Sequence, residues 1–198
     1  MECDRYWLHL AGVYCATGTK GEQMFGRLLA MLRGDQHGSA VEAVAAKRQR
    51  FGMELWATLY CYAGRTYIVT SVMTAPGELM VETGDPSVLP VATIDAAIGE
   101  AALWHLAQMV KRRPSSQRER KLTDWTVYQS SGAKSVRAFT SASIAVMLET
   151  TPTGIALSAR GAPIVEGEPW ATTTAPLDPA ALGAAIRAVI ADAEASVA

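Results

Sequence analysis

Cysteine is scarce in this chain: three residues in 198, Cys3, Cys15 and Cys61, odd in number and far apart. That pattern argues against a disulfide framework and fits reduced thiols in a cytoplasm. Histidine is equally scarce. His9, His37 and His105 are scattered, and neither C-x-x-C nor H-x-x-x-H spacing occurs, so no metal site and no cofactor is expected. No apolar run approaches the ~18 residues that a membrane-spanning helix requires. The start, Met1-Glu-Cys-Asp-Arg5, lacks the basic and apolar regions of a secretory signal, and the chain reads as cytoplasmic. Net charge is small at −1, which selects neither nucleic acid nor membrane as a partner. Gly18-Thr-Lys20-Gly21 lacks the Gly-Lys-Ser/Thr order of a phosphate loop, and no G-x-G-x-x-G is present.

What is present is a repeat. Ala92-Thr-Ile-Asp95-Ala-Ala-Ile98-Gly99-Glu-Ala101-Ala102 is echoed, with one residue inserted, by Ala175-Pro-Leu-Asp178-Pro-Ala-Ala-Leu182-Gly183-Ala-Ala185-Ile186. Each copy follows an apolar hairpin. Thr66 to Met73 turns at Pro76-Gly77 into Leu79-Met-Val81, and Ser143 to Leu148 turns at Pro152-Thr-Gly154 into Ile155-Ala-Leu157. Two strand-strand-helix copies predict a pseudo-symmetric module. With 49% hydrophobic and 19% charged residues, the composition is that of a globular domain. The expected fold is a single α+β domain over 1–198. An N-terminal segment with two helices (1–53) precedes a first repeat half (54–112), a basic linker (113–124) and a second half (125–198). The halves contribute to one antiparallel sheet packed by helices.

The local signals refine this plan. Tyr6 to Leu10 and Val13 to Cys15 form a short apolar, extended opening. Met24, Phe25, Leu28, Leu29 and Leu32 have helical spacing, and Ser39 with Glu42 forms a capping box for a helix running toward Arg50. From Glu54 the period changes to two, with Leu55, Ala57, Leu59 and Cys61 alternating with aromatic and polar residues, which predicts a strand. Its expected counterpart in the second half is Lys134 to Phe139. Asp95 and Asp178 are expected to N-cap the repeat helices, with Pro179 at the first helical position of the second. Ile98, Ala102, Leu106 and Met109 share one face, matched by Leu182, Ile186, Ile190 and Ala193. Gly99 and Gly183 occupy equivalent positions, where a missing side chain lets a helix approach a strand. From Pro76 to Asp95 is 19 residues and from Pro152 to Asp178 is 26, so the second copy carries seven more, among them Glu166-Gly-Glu168-Pro-Trp170.

Chemical motifs are few. Ser131-Gly-Ala-Lys134 fits S-x-x-K, the pair of serine β-lactamases and penicillin-binding proteins, but neither S-D-N nor K-T-G follows, and a turn with a strand start is the simpler reading. A Cys61–His105 pair is a formal nucleophile–base candidate, although His105 lies at the edge of an apolar helix face, where a hydrogen-bonded structural histidine is favoured. Lys111 to Lys121 holds six basic residues and one acidic one, a local charge of +5 that leaves −6 on the rest. That stretch supports an alternative reading as a nucleic-acid-binding module, although Pro114 and the absence of interleaved aromatics favour a solvated linker. Trp104, on the polar side of its helix, is a candidate interface anchor.

The run Asp124-Trp125-Thr-Val-Tyr-Gln129-Ser-Ser131-Gly132-Ala-Lys134-Ser135-Val136-Arg137-Ala-Phe139, followed by an apolar strand and then Leu182-Gly183-Ala-Ala-Ile186, resembles the immunity proteins of bacterial contact-dependent growth inhibition. The resemblance covers roughly the last 75 residues, and the long N-terminal segment departs from it. It implies a protein that is not an enzyme and that blocks a toxin domain, commonly a nuclease, delivered by a neighbouring cell. Nucleases are basic because they handle phosphate, so acidic side chains and aromatic anchors suit the inhibitor. On charge and loop position the candidate partner-binding residues are Glu166, Glu168 and Trp170, then Glu78, Glu82 and Asp85, with Trp104.

Overall fold

The computed structural model describes residues 39–51, 54–74, 80–111, 125–162 and 168–197. The chain divides into two units, Met1–His37 and Gly38–Ala198, and every described residue belongs to the second. Its elements are α1 (Ala40–Phe51), β1 (Trp56–Tyr62), β2 (Thr66–Thr74), β3 (Met80–Pro90), α2 (Asp95–Gln108), β4 (Val110–Lys111), α3 (Thr126–Ser131), α4 (Val136–Ser141), β5 (Ser143–Thr151), β6 (Gly154–Gly161), β7 (Ala171–Ala175) and α5 (Pro179–Val197). The expected opening strand, the helix near Glu22 to Leu32 and the basic linker lie outside the described residues. The capping box is in place: Ser39 Oγ accepts from Glu42 N at 3.3 Å and the Glu42 carboxylate accepts from Ser39 N at 3.0 Å.

Six strands form one antiparallel path in the order β3-β2-β1-β5-β6-β7, and short β4 runs parallel to the end of β2. The fold is α+β with two strand-strand-strand-helix halves, as the repeat predicts. β1 and β5 meet at the centre, β2 and β6 flank them, and β3 and β7 form the edges. The halves therefore correspond as β1 with β5, β2 with β6, β3 with β7 and α2 with α5.

This corrects the expected register of the repeat by one strand. The hairpin at Thr66 to Val81 is β2–β3, whereas that at Ser143 to Leu157 is β5–β6, so Pro76 and Pro152 are not equivalent. Apolar alternation around a turn is the same in any hairpin, and pattern alone cannot rank two neighbouring pairings. The equivalent connections are residues 75–79 and 162–170, five against nine, so the stretch holding Glu166 and Trp170 remains the longer one. Lys134 to Phe139 is likewise not a strand. Ser135 N-caps α4 by accepting from Ala138 N at 3.1 Å, and Phe139 is its one fully buried side chain.

Ile98, Ala102, Leu106, Leu182, Ile186 and Ala193 are all fully buried, in one core with Leu59, Val146, Leu148 and Leu157 of the sheet. Each of the large aliphatic side chains contributes about 1.5–3 kcal/mol by leaving water. The two repeat glycines are not at a strand. A Cβ on Gly99 would sit 1.8 Å from the Pro179 carbonyl oxygen, and one on Gly183 would sit 1.9 Å from that of Asp95. Each glycine thus receives the first turn of the other helix, and α2 and α5 cross backbone to backbone. This contact also explains a second correction. Asp178 caps α5, accepting from Ala181 N at 2.8 Å, but the cap position of α2 is Ile94, with no side-chain cap. Asp95 is the first helical residue, and its carboxylate accepts from Arg187 Nε of α5 at 2.6 Å. Arg187 also donates to Val91 O at 2.9 Å, to Tyr67 Oη at 3.1 Å and to Thr93 O, so the second half clasps the entry to the first helix.

Candidate functional site

The sheet has two differently furnished faces. Against the one away from α2 and α5, the short helices α3 and α4 bring Val127 and Phe139 over Tyr60, Ile68 and Ala145. Phe139 stands at the centre of this cluster, with Trp125, Tyr60, Tyr62 and Tyr128 at ring-centroid distances of 5.1, 5.5, 5.5 and 6.4 Å. Glu82 of β3, expected as a surface acid, points into it. Its carboxylate accepts from Tyr60 Oη and from Trp125 Nε1. Burial raises the Glu82 pKa, against the pull of those two hydrogen bonds. Burial, and then the Glu82 charge and hydrogen bond, raise that of Tyr60 well above the usual phenol range. An acceptor-only carboxylate held by two aromatic donors ties α3 to the sheet, and sequence inspection gave no sign of it: Glu82 and Trp125 are far apart in the chain.

Of the reactive side chains singled out by motif, His105, Cys61 and Ser131 are engaged inside the fold, and Lys134 is exposed. His105 is buried, with Nδ1 2.8 Å from Ser71 Oγ and Nε2 2.9 Å from Ser87 Oγ, and burial lowers its pKa to about 4. It is the hydrogen-bonded structural histidine that its helix position suggests. Cys61 is buried in the main core, where desolvation pushes its thiol up to about 11, the reverse of an activated nucleophile. Ser131 Oγ donates to Tyr128 O at 2.6 Å and accepts from Ala133 N at 3.1 Å, closing α3 before the left-handed Gly132. The turn expected there is present, and α4 replaces the strand start. Among the described residues no group of three or more His, Cys, Asp or Glu is placed to hold a metal ion, and no helix is long and apolar enough to cross a membrane.

The remaining expected contact residues are spread over the surface. Glu168 is exposed, and Trp170 follows it with 42% of its surface accessible. The Trp170 backbone N donates to Ala159 O at 2.8 Å, its carbonyl accepts from Ser196 Oγ at 3.4 Å, and its ring edge lies over Gly161, where a Cβ would come within 2.9 Å. Asp85 is exposed beside Gly84 (φ 79°), in the stretch where β3 carries extra residues opposite Thr70. Trp104 is half-buried on α2, the helix against which α1 packs. Glu78 and Glu166 lie outside the described residues. The structure places Glu168 beside Trp170 in the connection before β7, Asp85 on β3 and Trp104 on α2.

No family model matches the chain and no curated protein matches it. Among solved structures it is similar to a protein of unknown function from Neisseria meningitidis, at 16% identity and a TM-score of 0.54, over 70% of this chain and 94% of that one. That likeness shows a shared α+β fold. The chain also aligns with the CdiA-CT/CdiI toxin and immunity complex from Yersinia pseudotuberculosis, at 12% identity and a TM-score of 0.49, over 70% of this chain and 97% of that one.

Proposed function

We propose that this chain is an immunity protein, which neutralises a toxin domain delivered by neighbouring bacteria through stoichiometric binding. The single observation that carries the reading is Trp170: a large aromatic side chain, anchored through its backbone on both sides and left 42% exposed beside an exposed carboxylate. Exposed, pre-positioned tryptophans are the residues on which protein interfaces concentrate their binding energy. The engagement of His105, Cys61, Glu82 and Ser131 within the fold accords with a binding role. So does the resemblance of the Trp125 to Phe139 segment and of the Leu182 to Ile186 helix. Glu168 and Trp170, with Glu166 in the same connection, form the favoured contact set. Asp85, Glu78 and Trp104 form secondary candidates, and a basic toxin nuclease is the partner that the acidic body suits.

The test is co-expression with the toxin domain that this reading requires to be encoded immediately upstream, at the C-terminus of a large secreted protein. Rescue of growth and a one-to-one complex are expected. Trp170→Ala is expected to weaken that complex at least tenfold, or about 1.4 kcal/mol, while the chain stays folded by circular dichroism and loses about 1–2 kcal/mol of stability with the ring's packing on Gly161. Reversing the charges of Arg112, Arg113, Arg118 and Arg120 should leave rescue intact. Loss of rescue on that change alone favours the nucleic-acid reading instead.

A further inference from the structure

The pseudo-symmetry exposes one place where the two halves differ in kind. Counted from the hairpin-closing pairs Tyr62–Thr66 and Thr151–Gly154, Tyr60 corresponds to Glu149 and Ile68 to Ala156. Across the strands, the row Tyr60–Ile68–Val88 of the first half thus matches the row Glu149–Ala156–Thr174 of the second. The first row lies beneath Phe139 and Val127. The second, with its neighbour Met147–Ser158–Thr172, floors an open groove of about 390 Å³.

The chemistry of that floor is not a vacant copy of the first half. The buried phenol and isoleucine are replaced by a half-buried carboxylate and a methyl group, ringed by three hydroxyls. Several polar side chains elsewhere in the unit are, by contrast, taken up within the fold: His105 by two serines, Glu82 by Tyr60 and Trp125, Thr150 by Leu55 N at 2.8 Å. Glu149 makes no hydrogen bond or ion pair with any described residue. An acceptor-only carboxylate beside hydroxyls that also accept, over the aliphatic surface of Met147 and Ala156, complements a side chain with an apolar stem and several donors.

We infer that this groove receives an arginine side chain presented by the partner protein, its guanidinium on Glu149 and the hydroxyls of Ser158, Thr172 and Thr174, and its stem on Met147 and Ala156. The planar guanidinium offers five donors, which suits a carboxylate with neighbouring hydroxyls better than an ammonium does. The inference takes the partner's identity, a basic toxin domain, from the immunity reading, whereas the chemistry of the groove stands on its own residues. The groove and Trp170 then mark two separate anchoring points.

The test has two arms. In the first, the isotopically labelled full chain is titrated with acetyl-Gly-Arg-Gly-amide and with its citrulline analogue while backbone amide resonances are followed. Shifts confined to residues 147–149, 156–158 and 172–174, absent with citrulline and weakened at least tenfold in Glu149→Gln, are expected. Shifts scattered over the surface, or unchanged in Glu149→Gln, overturn the inference. In the second arm the upstream toxin domain is titrated against the wild type, Glu149→Gln and Glu149→Lys. An affinity loss of tenfold or more in both variants, with unchanged circular dichroism, is expected. Unchanged affinity overturns the groove and leaves the immunity reading standing. A wild type that ignores the toxin domain but still places the arginine peptide in the groove removes the immunity reading and supports the groove.

Discussion

β1–β3 and β5–β7 pair strand for strand, and the row Tyr60–Ile68–Val88 matches Glu149–Ala156–Thr174, yet the two halves are finished differently. On the face away from the long helices the first half carries Tyr60, Ile68 and Val88 beneath Phe139 and Trp125, while the second carries Glu149, Ala156 and Thr174 around an open groove. On the other face the halves are equals, each supplying one helix whose glycine receives the other. The comparison teaches that backbone pairing propagates the symmetry, and that side-chain chemistry at equivalent positions decides where it ends.

The largest effect is expected where the first half is covered. Phe139→Ala removes the ring on which Tyr60, Tyr62, Trp125 and Tyr128 converge and should cost about 4 kcal/mol in urea unfolding, whereas Met147→Ala in the uncovered half should cost about 1 kcal/mol or less. Equal costs would mean that the two halves are not different after all. Next comes the shared seam. Gly183→Ala and Gly99→Ala each drive a methyl group into a backbone carbonyl of the opposite helix and should each cost about 3 kcal/mol, because neither carbonyl can yield without moving a first turn. If one tolerates alanine and the other does not, the seam is less symmetric than the contacts make it.

A net effect kept small by two opposing groups distinguishes the two faces of the first half by their response to pH. Burial lowers the His105 pKa from 6.5 to about 4, so the unfolded chain binds a proton that the native state refuses. Stability from this group is complete above about 6.5 and is lost as pH falls toward about 4, on the order of 3 kcal/mol in all. Glu82 acts with the opposite sign. Its folded pKa is raised, so falling pH protonates the native state first and adds stability, and the net change is smaller than His105 alone would give. His105→Gln should flatten the loss of urea midpoint between about pH 7 and about pH 5, and Glu82→Gln should steepen it. An unaltered profile in both variants would show that neither group titrates differently in the folded state.

Much of the plan was legible in the residues. The capping box at Ser39 and Glu42, the cap at Asp178 with Pro179 after it, and the two apolar helix faces are where their spacing places them, because each depends on residues within about a turn of one another. The doubled helix motif likewise announces two halves. The failures share a cause. Asp95 has the same local context as Asp178, but an arginine 92 positions away engages it instead. Lys134 to Phe139 alternates well enough for a strand, yet the sheet already has its leading strands, and Phe139 is needed above Tyr60. Alternation alone pairs the repeat one strand out of step, since every hairpin in the chain shows the same pattern. Of the candidate contact residues, the conspicuous loop led to Glu168 and Trp170. Glu149, by contrast, has no sequence signal, being one acid in an otherwise ordinary strand.

By itself, then, the sequence determined the class of the fold, the existence of two halves and the position of most helix ends, all of which follow from propensity, periodicity and short-range hydrogen bonds. Only the tertiary structure decided which strands are equivalent, that the glycines seat helix against helix, and that Glu82 is enclosed while Glu149 stands open. Those outcomes depend on pairings between residues far apart in the chain, whose free energy no local pattern contains.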